Sequence, residues 1–537
     1  MKKRRNWLLM VMVPLGLLIL LRHAQWAASQ GTVEVSGVVV DDEGPVAGAT
    51  VRQQTTSNST ISAADGTFTL GGLTEGISVT VTAWHEGYHP AGEEIVPPET
   101  GITIALTLHP TGDNPDHEWL TSMPVPEDPI GCGHCMVAFP QWEVNAHAQS
   151  AINPRFFSLY NGADISGTAT VSPGYKLDFP GTAGNCATCH APGAAVDHPF
   201  TSDMNNLVGV ETEGVFCDFC HKVANVYLNP ATGLPYSNMP GVQSMPLTRP
   251  PSDTHMFYGP FDDVTRRVSY LELEKKSQFC AACHQFSFWG TPIYESFREW
   301  LESPYPAQGV ECQTCHMAPT GVDYFVFPEN GGLIRDPALI ASHLQPGAAD
   351  EELLHNTVSM TVSATQALNV VWVTVAVTNN EAGHHVPTDF PGRHMILTVE
   401  ATEDLGQALN QLSGPTVPEW GGAQAGLPGK AFAKVLRDAA SGQSPVVSYW
   451  KQTLIVSDNR IPAMQTDTST YSFVAPPAGG PVTVTAELRC RRAFQTVMDA
   501  KGWDTPDVVM EEDQTTFVAD PTWGTFFPLM MRSVTVP

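Results

Sequence analysis

Ten of the eleven cysteines fall into five Cys-x-x-Cys pairs, and in four of these a histidine follows at once. The four are Cys186-Ala-Thr-Cys189-His190, Cys217-Asp-Phe-Cys220-His221, Cys280-Ala-Ala-Cys283-His284 and Cys312-Gln-Thr-Cys315-His316. Two thiols and a histidine at this spacing are the attachment signal of c-type haem. The thiols add to the haem vinyl groups, and the histidine reaches the iron from the proximal side. Such a segment is constrained before any helix is considered, because packed porphyrins replace side chains in much of its core. Paired cysteines also hold structural zinc, but zinc does not require a histidine after every pair.

The fifth pair reads Cys132-Gly-His134-Cys135-Met136, with methionine where the proximal histidine should be. Three outcomes are open. A haem is attached with Met136 or a remote histidine as axial ligand, a change that raises the reduction potential when the pair is methionine/histidine. A haem is attached with one axial position vacant, which suits catalysis. Or the pair carries no haem and closes as a short disulfide. The cofactor complement is therefore haem c, four or five copies.

Lys2-Lys3-Arg4-Arg5 precede an apolar run from Trp7 to Leu21 and a small-residue stretch, Ala27-Ala28-Ser29. This is the grammar of a secretory signal peptide over residues 1–30. An uncleaved anchor is the alternative, although the run falls short of the ~20 residues that span a bilayer comfortably. Both place the remainder outside the cytoplasm, periplasmic or at the cell surface, and limit membrane contact to the N-terminal segment. Unprotected thiols oxidise there; haem takes up ten of them, and Cys490, on an alternating strand-like stretch, is expected to be buried. The net charge of −28 argues against nucleic-acid binding.

Three segments follow. Residues 32–110 alternate apolar and polar positions between Gly, Asn and Asp turns, predicting a small β-sandwich in which His85, His89 and His109 lie at the surface. Residues 115–345 hold all five pairs, with helices expected over Pro292 to Ser303 and Arg266 to Lys276. The spacing of Cys186 to Cys217 and of Cys280 to Cys312, with the shared lead-ins Gly214-Val-Phe-Cys217 and Gly309-Val-Glu-Cys312, predicts two dihaem units. Residues 356–537 return to strand patterns and a second, larger β-sandwich. The fold class is thus multidomain, a mainly α or irregular multihaem segment between two β-sandwiches.

Gly44-Pro-Val-Ala-Gly-Ala-Thr-Val51, Ala64-Asp-Gly-Thr-Phe-Thr-Leu70 and Gly87-Tyr88 make the first segment resemble the carboxypeptidase-regulatory-like domain, which implies a structural module without catalysis. The haem segment resembles the multihaem cytochrome c superfamily of nitrifier tetrahaem cytochromes, hydroxylamine oxidoreductase relatives and extracellular cytochrome filaments. The resemblance rests on Trp142 with Ala146-His147-Ala148, His255 with Tyr258-Gly-Pro260, Glu299-Trp-Leu-Glu-Ser-Pro-Tyr305, Cys312-Gln-Thr-Cys-His-Met317 and Ser342-His343. Beyond them, Ala382-Gly-His384-His385-Val-Pro-Thr388 resembles a signature of the β-domain that follows such segments. It implies bis-histidine iron, with His147, His198, His255 and His343 as distal candidates; Met136 and His384 rank behind them, and His384 also suits a loop brace.

Two functions compete. Irons with both axial positions filled only exchange electrons, so the first reading is an electron carrier that meets redox partner proteins or an extracellular acceptor and self-associates in a filament variant. The second is an oxidoreductase acting on small nitrogen or sulfur oxyanions at an open haem on Cys132/Cys135, with Arg155, Arg393 and His134 available for charge and proton work.

Overall fold

The computed structural model describes residues 32–125, 131–251 and 254–522. The signal or anchor segment lies outside them. No helix among the described residues is long and apolar enough to cross a membrane.

The first segment folds as two four-stranded sheets. One contains Gly44–Pro45, Thr32–Asp41, Thr67–Thr74 and Thr100–Ala105; the other contains Ser59–Ile61, Thr50–Gln53, Val79–Trp84 and Ala91–Ile95. Period-two patterning puts Val35, Val39, Val51, Leu70, Val81 and Ile104 between them. The Ala64-Asp-Gly turn needs its glycine. Gly66 has φ +74°, and a Cβ there would lie 2.6 Å from the Val39 carbonyl oxygen.

This sandwich is clamped to the haem segment. Arg52 pairs with Asp262 at 2.9 Å, and the Thr55 amide donates to Asp263, whose carboxylate is also gripped by buried Arg335. His89 bonds the Val268 carbonyl, and His109 packs edge-on to Tyr258. These two histidines belong to a domain junction and not to the surface, because their rings meet a segment far away in sequence.

The central segment is built from short pieces, the longest described helix being Pro154–Asn161. The two expected helices are corrected. Thr291–Tyr294 is a strand and only Ser296–Leu301 is helical; Ile293 packs instead against Leu436 and Val446 of the last domain. Around residue 270, strand Val268–Tyr270 pairs with Phe257–Gly259, and a single 3-10 turn covers Glu272–Lys275. Apolar spacing in so short a window fits either state, and tertiary partners decide.

The last domain packs sheet Ser359–Ala367, Val370–Thr378, Thr466–Val474, Gln411–Ser413 on sheet Gly429–Phe432, His394–Glu403, Gly480–Arg491, Val508–Ala519. Val371, Val373 and Val375 face Leu397, Val484 and Leu488 across the interior, each worth about 1.5–3 kcal/mol when fully buried. Cys490 lies in that core, 5 % exposed. Two anchors join this domain to the haem segment. The Lys501 ammonium donates to the Ser158, Ala163 and Val171 carbonyls, and helix Ser296–Leu301 sends Glu295 and Glu299 into a buried cluster with Lys434 and Arg460.

Candidate haem-binding site

The complete motifs fall on short helices: Ala187–His190 with Cys186 at its N-cap, Cys217–Cys220 with His221 at its C-cap, Gln278–His284 and Cys312–His316. Residues three and four apart share a helix face, so both thiols and the histidine point the same way. That is the physical content of the motif. The fifth pair sits on the 3-10 turn Gly131–His134.

Four of the five pairs put their thiols on a continuous cavity, which the Cys312/Cys315 motif reaches only through Gln313 and Thr314. The cavity measures about 2130 Å³, against about 300–1,000 Å³ for an ordinary small-molecule pocket. Its walls carry Cys132, Cys135, Cys186, Cys189, Cys217, Cys220, Cys280 and Cys283 with His147, His190, His221, His255, His284 and His343. A chain packed around itself leaves no such space; one packed around porphyrins must.

Every motif histidine has its Nδ1 held by an acceptor: His190 by Ser150 O (3.3 Å), His221 by Tyr258 O (2.8 Å), His284 by Asp389 (3.3 Å) and His316 by Pro346 O (2.8 Å). An acceptor at one ring nitrogen fixes the tautomer and leaves Nε2 as the metal ligand. His147 is held likewise by Gln345, and His384 by the His385 carbonyl. Burial lowers His147, His190 and His343 to about 4, keeping them neutral as ligation requires.

Ring geometry supplies partners. His284 and His147 have centroids 6.3 Å apart at 89°, and His316 and His384 are 6.3 Å apart at 16°. A metal–imidazole bond is about 2.0–2.1 Å, so two rings sharing one ion sit roughly 6 Å apart, whatever their rotation about the common axis. His343 lies within electrostatic reach of His221. His190 differs. Its ring neighbour is Phe156, stacked at 4.1 Å, although His147 also acts on it electrostatically.

Among the described residues no three of His, Cys, Asp or Glu converge on one point. Structural zinc takes four such ligands and catalytic zinc three. Paired histidines suit an ion whose remaining ligands come from a cofactor, and the site fits haem.

The other candidates scatter. His198 is exposed and off the cavity; His255 is on the wall with no ring partner; Met136 is 42 % exposed and off the wall. His117 is tied at both nitrogens, to Pro250 and Asp218. Sequence reading missed Gln345, Glu274 and Asp389, which hold His147, His221 and His284. Asp389 could have been found, since it directly follows the Pro-Thr of the β-domain signature.

Replacing Asp389 by Asn is expected to raise the midpoint potential of the haem at Cys280/Cys283. Burial opposes its charge, but His284 and Ser296 hold the carboxyl well below the usual range. Its negative charge therefore favours ferric iron. A tenfold second-shell effect corresponds to about 60 mV for one electron, read by spectroelectrochemical titration. An unchanged potential would remove Asp389 from the site.

An internal repeat of local hydrogen bonding is present, but its members differ from the expected Cys186 with Cys217 and Cys280 with Cys312. The thiol of Cys132 lies within electrostatic reach of Cys217, as does Cys280 of Cys312 and Cys189 of Cys283. Ser122 accepts from the Cys132 amide and its hydroxyl accepts from the Cys217 amide; Ser277 does the same for Cys280 and Cys312. Trp142 donates to Val215 O and Trp300 to Val310 O, while Val215 N bonds His147 O and Val310 N bonds Tyr305 O. The repeated units are thus Cys132 with Cys217 and Cys280 with Cys312. Sequence spacing pointed to Cys186 because that motif is inserted inside the first unit.

Residues 34–109 match the carboxypeptidase regulatory-like domain. A penta-heme cytochrome c552 from Thermochromatium tepidum superposes with a TM-score of 0.51 at 20 % identity, over 72 % of this chain and 97 % of that one. The chain has the fold of a penta-haem cytochrome. The matched share exceeds what residues 115–345 alone could supply, so the fold extends beyond the haem segment. A cohesin–X-dockerin complex of Acetivibrio cellulolyticus matches 14 % of this chain and 58 % of its own at 19 % identity, with a TM-score of 0.13. No curated protein matches.

Proposed function

We propose that this is an exported multihaem cytochrome holding five haems and passing electrons along them. The observation that carries the reading is the single cavity that eight of the motif thiols line. Cys132 and Cys217, Cys189 and Cys283, and Cys280 and Cys312 lie within electrostatic reach of each other, as does Cys220 of Cys280 and Cys283. Attachment points of all five sites therefore form one unbroken series. Haem supplies one-electron exchange; the chain's residues space the groups, fill their axial positions and keep water from them. Cys315 is the single exposed thiol of the ten, so the fourth site is the edge offered to a redox partner protein or extracellular acceptor.

The equivalence of Ser122 and Ser277 supports a fifth haem at Cys132/Cys135, since the first unit is built like the second. Intact mass of the mature protein is expected to show five haem additions. Four would return that pair to a bare dithiol or disulfide.

An oxidoreductase acting on small nitrogen or sulfur oxyanions is the second reading. It is favoured by the outward Met136 and by the lack of a ring-paired histidine at His190. A ferric spectrum that is wholly low-spin and indifferent to cyanide would sink it.

A further inference from the structure

Three arginines line the cavity with no carboxylate within ion-pair distance among the described residues. Arg155 begins helix Pro154–Asn161, one residue before the Phe156 that stacks on His190. Arg393 comes four residues after Asp389, and Arg492 closes the end of strand Gly480–Arg491. All three line the cavity and are half-buried.

Their polar contacts are neutral. Arg155 bonds the Thr505 hydroxyl, Arg393 donates to the Thr388 carbonyl, and no carboxylate lies within ion-pair distance of any of them among the described residues. Asp389 feels Arg393 at longer range but is committed to His284 and Ser296; neighbouring Arg491 is the one that takes Asp507. Burial, with Arg155 and Arg393 close by, lowers Arg492 to about 10.

This chain has 55 acidic and 27 basic residues, so carboxylates were abundant. Leaving three half-buried guanidinium groups on one cavity wall without carboxylate partners is costly unless an anion from outside the polypeptide completes the site. Guanidinium forks grip carboxylate and oxyanion oxygens in pairs.

We propose that Arg155, Arg393 and Arg492 form an anion receptor on the His190 side of the cavity, taking either a haem carboxylate or a small free oxyanion. The inference rests on the haem reading, so haem content is measured first on every sample. The experiment uses the haem-loaded protein with Arg492→Gln, Arg393→Gln and Arg492→Lys. One arm follows the ferrous-to-ferric ratio at fixed applied potentials with no anion added. The other titrates nitrite and inorganic phosphate by calorimetry.

If a haem carboxylate is the occupant, the Gln variants shift that ratio toward ferric by at least about tenfold, because a buried positive charge is lost. Arg492→Lys then retains most of the native value. If a free oxyanion is the occupant, the native protein binds it saturably and the Gln variants weaken that binding by at least about tenfold. Full haem content with neither a ratio shift nor saturable binding overturns the proposal. Low haem content in the native protein would instead refute the haem reading.

Discussion

Replacing Glu299 by Ala will destabilise the protein by about 3–5 kcal/mol, the cost of breaking a buried ion pair by removing one partner. Glu299 is 3 % exposed. One oxygen takes Arg460 at 2.6 Å; the other accepts the His385 amide at 3.1 Å and the Thr388 hydroxyl at 2.7 Å. Its loss leaves Arg460 buried with one fewer anion and releases the loop that carries His384 and Asp389. At about 2–4 °C per kcal/mol for a large domain, the unfolding midpoint should fall by roughly 6–20 °C. Glu302, on the same turn but 68 % exposed, is the control, and its replacement by Ala should cost less than about 1 kcal/mol. Equal shifts in the two variants would show that the junction does not depend on this cluster.

Replacing His384 by Ala should open one iron. The haem fixed by Cys312 and Cys315 would keep His316 and lose the ring that now lies 6.3 Å from it. One haem equivalent is expected to turn high-spin when oxidised and to bind carbon monoxide when reduced, with total haem unchanged because the thioether links are untouched. Imidazole added in solution should restore the low-spin spectrum. Since Glu299 positions the 384 loop, the Glu299 variant should show the same spectral change partially, before it unfolds. An unaltered spectrum in His384→Ala would mean that the iron draws its second ligand from elsewhere.

The cysteine motifs were fully legible in the chain because a covalent attachment must be encoded locally, within one helical turn. The two β-sandwiches were legible too; strands such as Val370–Thr378 and Gly480–Arg491 alternate in sequence as they do in burial. Short amphipathic windows were not. Thr291–Tyr294 had helical spacing and became a strand because Ile293 found Leu436 and Val446 in a distant domain. The histidine ring pairs were only partly readable. His147 and His343 were flagged by their surroundings in sequence, whereas His384 ranked as a loop brace until the fold set it opposite His316.

By itself, then, the sequence determined where the attachment signals for haem lie, since each signal spans five consecutive residues. Only the tertiary structure decided which motif neighbours which, pairing Cys132 with Cys217 across the inserted Cys186 motif and bringing Arg155, Arg393 and Arg492 together. The reason is physical. The approach of the thiols, the histidine pairs and the shared cavity depend on distances between segments far apart in the chain, and those distances are set by the packing of short central elements against one another and against the last β-sandwich.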